Sequence, residues 1–432
     1  MRPAVLAVCL LSIGLPRAIA EKPATTAEPI SFGAKDWPWW RGPQRTGIAR
    51  ANQSPPLTWN DTDNVLWKVP VPGRGHGSAT VIGDQVFLAA ADPEREVQSV
   101  LCYDRQTGQS VWEAIAHEGH LETKGNKKAS QASSTVAYDG QRLFINFLNN
   151  GAVFTTAFDM SGAQLWQTKI SDYVVHQGYG SSPALYKHLV IVGADNKGEG
   201  GGAVAALDRA SGEILWKRVR PSMPNYSSPI ILHVAGKDQL FLTGCDQVTS
   251  LDPITGRTNW EIEGATTECV TSTVTDGVHI FTSGGYPKNH MAAVVADGSG
   301  TVTWENTVRA YVPSMLCSDG CIYATLDGGV AICLESGTGK ELWKSRLGGT
   351  FSSSPVLVGD RIYATNEEGT TFVFRASPDA FEELARNKLG ESVFATPTIC
   401  DSRIYTRVTH QVDGQRQEYL YCLGSRGTVH SR

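Results

Sequence analysis

The chain repeats one short pattern along most of its length, and this repetition constrains the fold more than any other feature. The first part of the pattern is an apolar pair, an acidic residue, a Thr-Gly or Ser-Gly turn and a tryptophan, seen most clearly at residues 206–216. The second part is a small hydroxyl pair before a proline, which occurs at residues 181–183, 227–229 and 353–355. The tryptophans recur about every 39 to 54 residues, a period typical of one four-stranded propeller blade.

The tryptophans and the two ends of the chain predict how many blades there are and how the ring closes. Residues 65–69 look like the last strand of a repeat without a first half, whereas residues 394–422 supply three strands and then stop. Joining the ends completes one blade and removes exposed strand edges. We therefore predict an all-β fold, an eight-bladed β-propeller of four-stranded antiparallel blades closed by pairing of the N- and C-terminal strands. The last strands carry Trp67, Trp112, Trp166, Trp216, Trp260, Trp304, Trp343 and a degenerate position near Ala385.

Two segments precede the propeller, which we place at residues 61–432. Residues 1–20 have the order of a signal peptide: a basic start, an apolar centre too short to span a bilayer, and small residues up to a cleavage site near Ala20. Residues 21–60 form an extension rich in aromatic residues, whose tryptophans we expect to brace the propeller; the alternative is a surface that stacks on a ligand. The protein is therefore expected in the periplasm or outside the cell, with no membrane span.

The net charge and the positions of the cysteines argue against some functions and leave others open. The formal net charge is −5 and no long run of one sign occurs, which argues against nucleic-acid binding. Cys102, Cys333 and Cys422 occupy the same position of three repeats, as expected of small buried residues. Cys317 and Cys321 flank a hairpin turn; they are either free thiols or a disulfide bridge. No second pair follows to complete a zinc site.

The repeat at residues 206–216 resembles that of the pyrroloquinoline quinone (PQQ) type propellers, and the resemblance covers about residues 60–432. That superfamily includes quinoprotein alcohol dehydrogenases and BamB-like outer-membrane assembly lipoproteins, and this chain looks like a secreted bacterial branch. The resemblance implies that each repeat tryptophan docks on the neighbouring blade. It also implies that quinone enzymes would show a Cys-Cys pair and a calcium site. The chain contains no Cys-Cys pair, so no cofactor is expected, with PQQ and calcium as the alternative.

The loops that lead into the first strand of each blade are expected to meet around one mouth of the central channel. Polar and aromatic groups that converge on a concave surface indicate a binding site; the alternative is that they only plug the channel. The candidate ligand- or partner-binding residues are Arg74, His76, Lys128, Gln131, His176, Tyr179, Asn225, Tyr226, Glu268, Tyr311, Phe351 and Phe394.

One insertion, residues 114–130, holds the cluster His117, Glu118, His120 and Glu122. Zinc ligation is one interpretation, but the spacing is not that of a helical zinc motif, and we expect a solvated polar loop and no metal.

We predict no catalytic residues, because Glu268 is the one acidic residue at the expected mouth. The function predicted is an exported, monomeric, non-catalytic scaffold, BamB-like, that binds a protein partner or ligand. The alternatives are a PQQ- and calcium-dependent dehydrogenase of alcohols or sugars and a glycan-binding module.

Overall fold

The computed structural model describes residues 28–425. This part of the chain contains 32 strands and no helix, and the strands form eight four-stranded antiparallel sheets. No helix long and apolar enough to cross a membrane occurs among these residues. The predicted signal peptide and its cleavage site near Ala20 lie outside the described residues.

The strands of each blade follow one another in the chain, from the channel outwards. The first four blades are β2–β5 (Thr80–Ile82, Gln85–Asp92, Val97–Asp104, Ser110–Glu118), β6–β9 (Ala137–Tyr138, Arg142–Asn149, Ala152–Asp159, Gln164–Asp172), β10–β13 (Ala184–Tyr186, Leu189–Ala194, Gly202–Asp208, Ile214–Arg220) and β14–β17 (Ile230–Val234, Lys237–Gly244, Gln247–Leu251, Thr258–Glu263). The next three are β18–β21 (Val274–Thr275, His279–Gly284, His290–Val295, Val302–Asn306), β22–β25 (Leu316–Ser318, Cys321–Leu326, Val330–Glu335, Glu341–Arg346) and β26–β29 (Val356–Val358, Arg361–Thr365, Thr370–Arg375, Glu383–Lys388).

The eighth blade is shared by the two ends of the chain. Its strands are ordered β30 (Thr398–Cys400), β31 (Arg403–Val412), β32 (Gln415–Leu423) and β1 (Val65–Val71). Lys68 pairs with Tyr421 in an antiparallel register, and β2 of the first blade contacts β30 of the eighth. The predicted eight-bladed ring and its closure by both ends are confirmed.

The turn that follows the acidic residue of the repeat explains why that residue and the glycine recur. The carboxylate of Asp208 accepts the backbone N–H groups of Ala210 and Ser211, both at 2.9 Å. Gly212 has a φ of +73°, and a Cβ there would lie 2.6 Å from the ring of Trp166 in the preceding blade. Any other side chain would therefore meet both a backbone penalty and a clash.

The repeat tryptophans join neighbouring blades. The indole N–H of Trp67 donates to the carbonyl of Arg105 at 3.0 Å and that of Trp166 to the carbonyl of Arg209 at 3.1 Å. Trp112, Trp216, Trp304 and Trp343 bond to the next blade in the same way. Trp260 differs, because its indole N–H donates to Gln239 of its own blade at 3.1 Å. The degenerate turn of the next blade also packs less closely against its ring.

The eighth tryptophan position is replaced by a residue of the extension. Ala385 pairs with Val373 in the register that a tryptophan holds in other blades. The side-chain amide of Asn387 donates to the carbonyl of Leu57 at 3.0 Å. Trp59 belongs to the same apolar cluster and stacks 6.4 Å from the ring of Tyr363. Its own backbone N–H donates to Asn387 at 2.9 Å. The extension thus braces the outer part of the seventh blade.

The pairing of β22 with β23 contradicts the proposed Cys317–Cys321 bridge. Cys317 lies opposite Ile322, and Cys321 lies opposite Ser318. Neighbouring residues of a strand point to opposite faces, so the two sulfur atoms belong to different apolar clusters. Both cysteines are free thiols, and the disulfide alternative is wrong for this structure.

Candidate functional site

One end of the central channel is closed by the extension. Residues 28–60 cross the face that carries the turns between the first and second strands, and Trp37 bridges to Val81 there. The indole N–H of Trp40 donates to the hydroxyl of Ser272 at 2.9 Å. The buried guanidinium of Arg41 bonds to the carbonyl of Met315. The channel is therefore a cavity with one open mouth.

A ring of hydroxyl groups surrounds the channel above Trp40. The backbone N–H of Thr135 donates to the hydroxyl of Ser182 at 3.0 Å, and Ser182 N–H donates to Ser228 at 2.9 Å. The same link joins Ser78 to Thr135, Ser272 to Ser314, Ser314 to Ser354 and Ser354 to Thr396. The small hydroxyl pair of the repeat thus connects one blade with the next at the channel wall.

The cavity above this ring has a volume of about 370 Å³, within the range of small-molecule sites. Trp40 and hydroxyls of the ring form its floor. Aromatic rings from five different loops also line it: His76, Tyr179, Tyr226, Tyr311 and Phe394. His76 and Phe394 stack with ring centroids 4.5 Å apart and an interplanar angle of 17°.

An acidic group lies at one side of the mouth. Glu268 is 3% exposed, and its carboxylate accepts the hydroxyl of Tyr311 at 2.8 Å. His176 Nε2 lies 3.3 Å from the other oxygen of Glu268, and its Nδ1 lies 3.4 Å from Lys197 Nζ. Burial, the nearby Glu268 and its hydrogen bond raise the pKa of Tyr311 well above its usual value. Tyr311 is therefore a hydrogen-bond donor at neutral pH.

Basic groups lie at another side of the mouth, where the first and eighth blades meet. Arg407 of β31 and Arg416 of β32 both bond to the buried Glu418. Arg74 adjoins them and donates to the carbonyl of Lys128 at 3.0 Å. Burial, followed by repulsion from these three arginines, holds the pKa of His76 well below its usual value, so its ring is neutral.

The structure brings most of the predicted site residues together. His76, Lys128, Tyr179, Tyr226, Tyr311 and Phe394 line the cavity. Arg74, His176 and Glu268 adjoin it through the bonds described above. Which of them binds a ligand stays a prediction.

Three predicted residues do not face the cavity. Phe351 is 1% exposed and packs on Phe372 in an apolar cluster, because its side chain turns into the blade. Asn225 is 5% exposed, and its amide bonds to Asp195, to the carbonyl of Thr243 and to the N–H of Cys269. Gln131 donates to the carbonyl of Glu122 and thereby orders the insertion.

The sequence-based count of acidic residues at the mouth is also wrong. Glu367 accepts hydrogen bonds from Lys128 at 2.6 Å and from Ser352 at 2.7 Å, and both donors line the cavity. Glu418 adds a further carboxylate beside Gly75. Arg407 and Glu418 are buried charges of opposite sign on neighbouring strands, and both residues were visible in the sequence.

The insertion at residues 114–130 is part strand and part loop. His117 lies in β5, where its ring packs edge-on against Phe154 at 5.1 Å, so the prediction of a solvated loop is wrong for this residue. Beyond it the chain folds over the mouth, and Asn126 bonds to Gln177. Among residues 28–425, no three His, Cys, Asp or Glu side chains form a cluster suited to a metal ion.

The environment of His117 predicts a pH-dependent stability. Burial lowers the pKa of this histidine to about 4, below its usual value near 6.5 in an unfolded chain. A group whose folded pKa is depressed in this way is neutral when folded, so stability is lost as pH falls from about 6.5 towards 4. We expect the free energy of unfolding to fall more steeply over this range in the unsubstituted protein than in His117→Gln, as measured by urea titration. Parallel curves for the two proteins would contradict the assignment.

Comparison with known proteins identifies the family. The family model described as outer membrane protein assembly factor BamB matches residues 96–325 and 287–379. The chain belongs to this BamB-like propeller family. A relative with the same description, from Burkholderia pseudomallei strain K96243, is 26% identical over 348 residues, which are 77% of this chain and 81% of that protein.

Enzymes also occur among the relatives of this BamB-like propeller. A polyvinylalcohol dehydrogenase from a Pseudomonas species is 29% identical over 208 residues, 44% of this chain and 30% of that protein. A second polyvinylalcohol dehydrogenase, from Sphingopyxis, is matched over 29% of its length. The chain thus spans under a third of the length of these two dehydrogenases.

Solved structures share the fold. A europium-containing methanol dehydrogenase superposes with a TM-score of 0.66 at 13% identity, covering 91% of this chain and 98% of that one. BamB from Moraxella catarrhalis superposes with a TM-score of 0.57 at 16% identity, covering 85% of this chain and 98% of that one. At this level of identity the likeness shows the propeller architecture alone.

The dehydrogenases of this fold raise the question of whether the mouth suits a quinone with calcium. Calcium takes six to eight oxygen ligands. Here both oxygens of Glu268 face donor groups, on Tyr311 and His176, and the amide of Asn225 is held by Asp195 and Cys269. Among residues 28–425, the acidic and histidine side chains do not converge into the oxygen-rich donor set that calcium needs, so the residues at this mouth do not fit the ion.

Proposed function

We propose that this BamB-like propeller is an exported, non-catalytic scaffold that binds a ligand, or a group presented by a partner, in the open mouth of its channel. The observation that carries the proposal is the single-mouthed cavity: Trp40 and Arg41 close one end, and rings and hydroxyls from several blades line the rest. A preformed concave site of this size suits a small ligand or one extended segment. We propose that the protein acts as a monomer.

The family is that of the outer membrane protein assembly factor BamB, which supports a role in binding rather than in chemistry. The acidic residues of the repeats support it as well. Asp104, Asp159 and Asp252 each accept backbone N–H groups of their own turn, as Asp208 does. These carboxylates stabilise the blade and lie in turns remote from the loops of the mouth.

Dehydrogenation is the second candidate, because dehydrogenases occur among the relatives and Glu268 lies beside His176. A buried carboxylate next to a histidine is an arrangement used in acid–base catalysis. In this site, however, the carboxylate also accepts the hydroxyl of Tyr311, so one of its two oxygens is already engaged. Such a pair also serves to hold two loops of the mouth together.

Titration with PQQ in the presence and absence of calcium separates the two candidates. We expect no calcium-dependent binding at micromolar or tighter affinity, and no reduction of an electron-accepting dye with alcohols or sugars as substrates. Glu268→Gln should then behave as the unsubstituted protein does. Calcium-dependent PQQ binding that is lost in Glu268→Gln, together with turnover, would overturn the scaffold proposal in favour of the dehydrogenase.

A further inference from the structure

The basic side of the mouth carries more positive than negative charge. Arg74, Arg407 and Arg416 surround a single carboxylate, that of Glu418. Among residues 28–425, the Nε of Arg74 and one Nη of Arg407 are buried without a hydrogen-bond partner. Buried guanidinium donors that lack partners are costly, and an anion is the group that satisfies them best.

Arg74 is the member of this group whose guanidinium contacts a residue of the cavity wall. Its side chain is half-buried, and its one side-chain hydrogen bond among the described residues runs to the carbonyl of Lys128, which lines the cavity. Arg407 and Arg416 are both paired with Glu418. Lys128 itself is neutralised by Glu367 at 2.6 Å. A carboxylate at the edge of the cavity would therefore meet Arg74 first.

An uncharged ring surface lies two residues from Arg74. His76 lines the cavity and stacks on Phe394, and its Nε2 is buried without a partner among the described residues. Because burial and then the arginines hold the pKa of the imidazole low, its ring is neutral and the pair offers a flat apolar face next to a cationic group. The C–H face of a sugar ring packs on such a surface, and a ring substituent can reach the arginine.

The floor of the cavity supplies hydrogen-bond donors. Ser182, Ser228, Ser354 and Thr396 line it, and each hydroxyl oxygen accepts a backbone N–H. Within residues 28–425 the structure gives none of these four hydroxyls an acceptor for its own proton. A hydroxyl can donate and accept at once, so these groups remain available to the oxygens of a ligand.

We propose that the mouth binds an acidic sugar, a hydroxylated ring that carries one carboxylate. Arg74 binds the carboxylate, the stacked pair of His76 and Phe394 contacts the ring, and the hydroxyls of the floor bind the ring oxygens. This inference rests on the proposed ligand-binding function and specifies its ligand class. It also distinguishes the site from one for a neutral sugar or for an anion without a ring.

Calorimetric titration of the full chain with four probes tests the proposal: D-glucuronate, D-glucose, benzoate and inorganic phosphate. We expect glucuronate to bind at least tenfold more tightly than each of the others. Arg74→Gln should weaken glucuronate at least tenfold and leave the affinity for glucose unchanged. The matched control is Arg95→Gln, which removes an exposed arginine that pairs with Glu113 on the outer surface and should have no effect. Thermal melting checks that both variants are folded.

Three results would overturn the inference: equal affinity for glucuronate and glucose, equal affinity for glucuronate and phosphate or benzoate, or glucuronate binding that survives in Arg74→Gln. Fluorescence of Trp40, taken as the difference between the protein and Trp40→Phe, reports occupancy of the cavity itself. If glucose changes that signal while Arg74→Gln has no effect on glucuronate, the ligand-binding function stands and the acidic sugar is wrong. If no probe changes it, both proposals are contradicted.

Discussion

Removal of residues 418–432 is expected to abolish the cooperative folding of the whole ring. The deletion takes most of β32, which lies between β31 and β1 in the closing blade. Leu420, Tyr421, Cys422 and Leu423 are completely buried, and truncating a large buried apolar side chain costs about 2–5 kcal/mol. The summed loss is comparable with the whole stability of a typical domain, ~5–15 kcal/mol. Loss of Glu418 also leaves Arg407 buried without its carboxylate.

Near-ultraviolet circular dichroism and urea titration measure this effect. We expect the truncated chain to show neither a near-ultraviolet signal nor a single unfolding transition. A chain that ends at Ser425 is the matched control, since it keeps every described strand, and it should unfold as the full chain does. A truncated protein that retains a cooperative transition of seven blades would show that closure does not hold the ring together.

Trp216→Ala is expected to destabilise the protein by about 3–5 kcal/mol. The ring of Trp216 covers Gly256 of the next blade, where a Cβ would lie 2.7 Å from the indole. Its N–H also donates to the carbonyl of Pro253 at 3.3 Å. The substitution removes the apolar contact and the hydrogen bond that join two blades, and it leaves a cavity between them.

Leu215→Ala is the matched control for this substitution. Leu215 precedes Trp216 on the same strand but is 46% exposed, so its truncation should change the free energy of unfolding by less than about 0.5 kcal/mol. Ligand binding at the mouth, measured well below the unfolding temperature, should be the same in both variants. A Trp216→Ala protein as stable as the control, or one that loses ligand selectively, would contradict a docking role for this tryptophan.

The architecture was predictable because its determinants are local and repeated. An acidic residue, a glycine and a tryptophan within about ten residues form a turn and an outer strand in almost every blade. The unpaired halves at the two ends, around Val65 and Tyr421, then allow one way of closing the ring. The degenerate position at Ala385 was also found, since strand spacing survives the loss of the tryptophan.

The site was predictable only in part, because loop position does not determine side-chain direction. Spacing placed Tyr226, Tyr311 and Phe394 in loops that meet at the mouth, and all three line the cavity. Phe351 comes from an equivalent loop, yet its ring packs in the core. The backbone N–H of Phe351 donates to the carbonyl of Asp327, whereas that of Tyr226 donates to the carbonyl of Cys269, and such long-range contacts cannot be read from residue type.

The sequence alone determined the propeller, its eight blades and its closure, because each follows from short-range patterns. Only the tertiary structure decided the chemistry of the mouth. Arg74 and Glu418 are more than 300 residues apart in the chain, and they meet because closure brings the first blade beside the eighth. Trp40 likewise reaches Ser272 across the channel, 232 residues away. Charge balance and the closed floor of the cavity arise from contacts between distant segments, and no local pattern encodes such contacts.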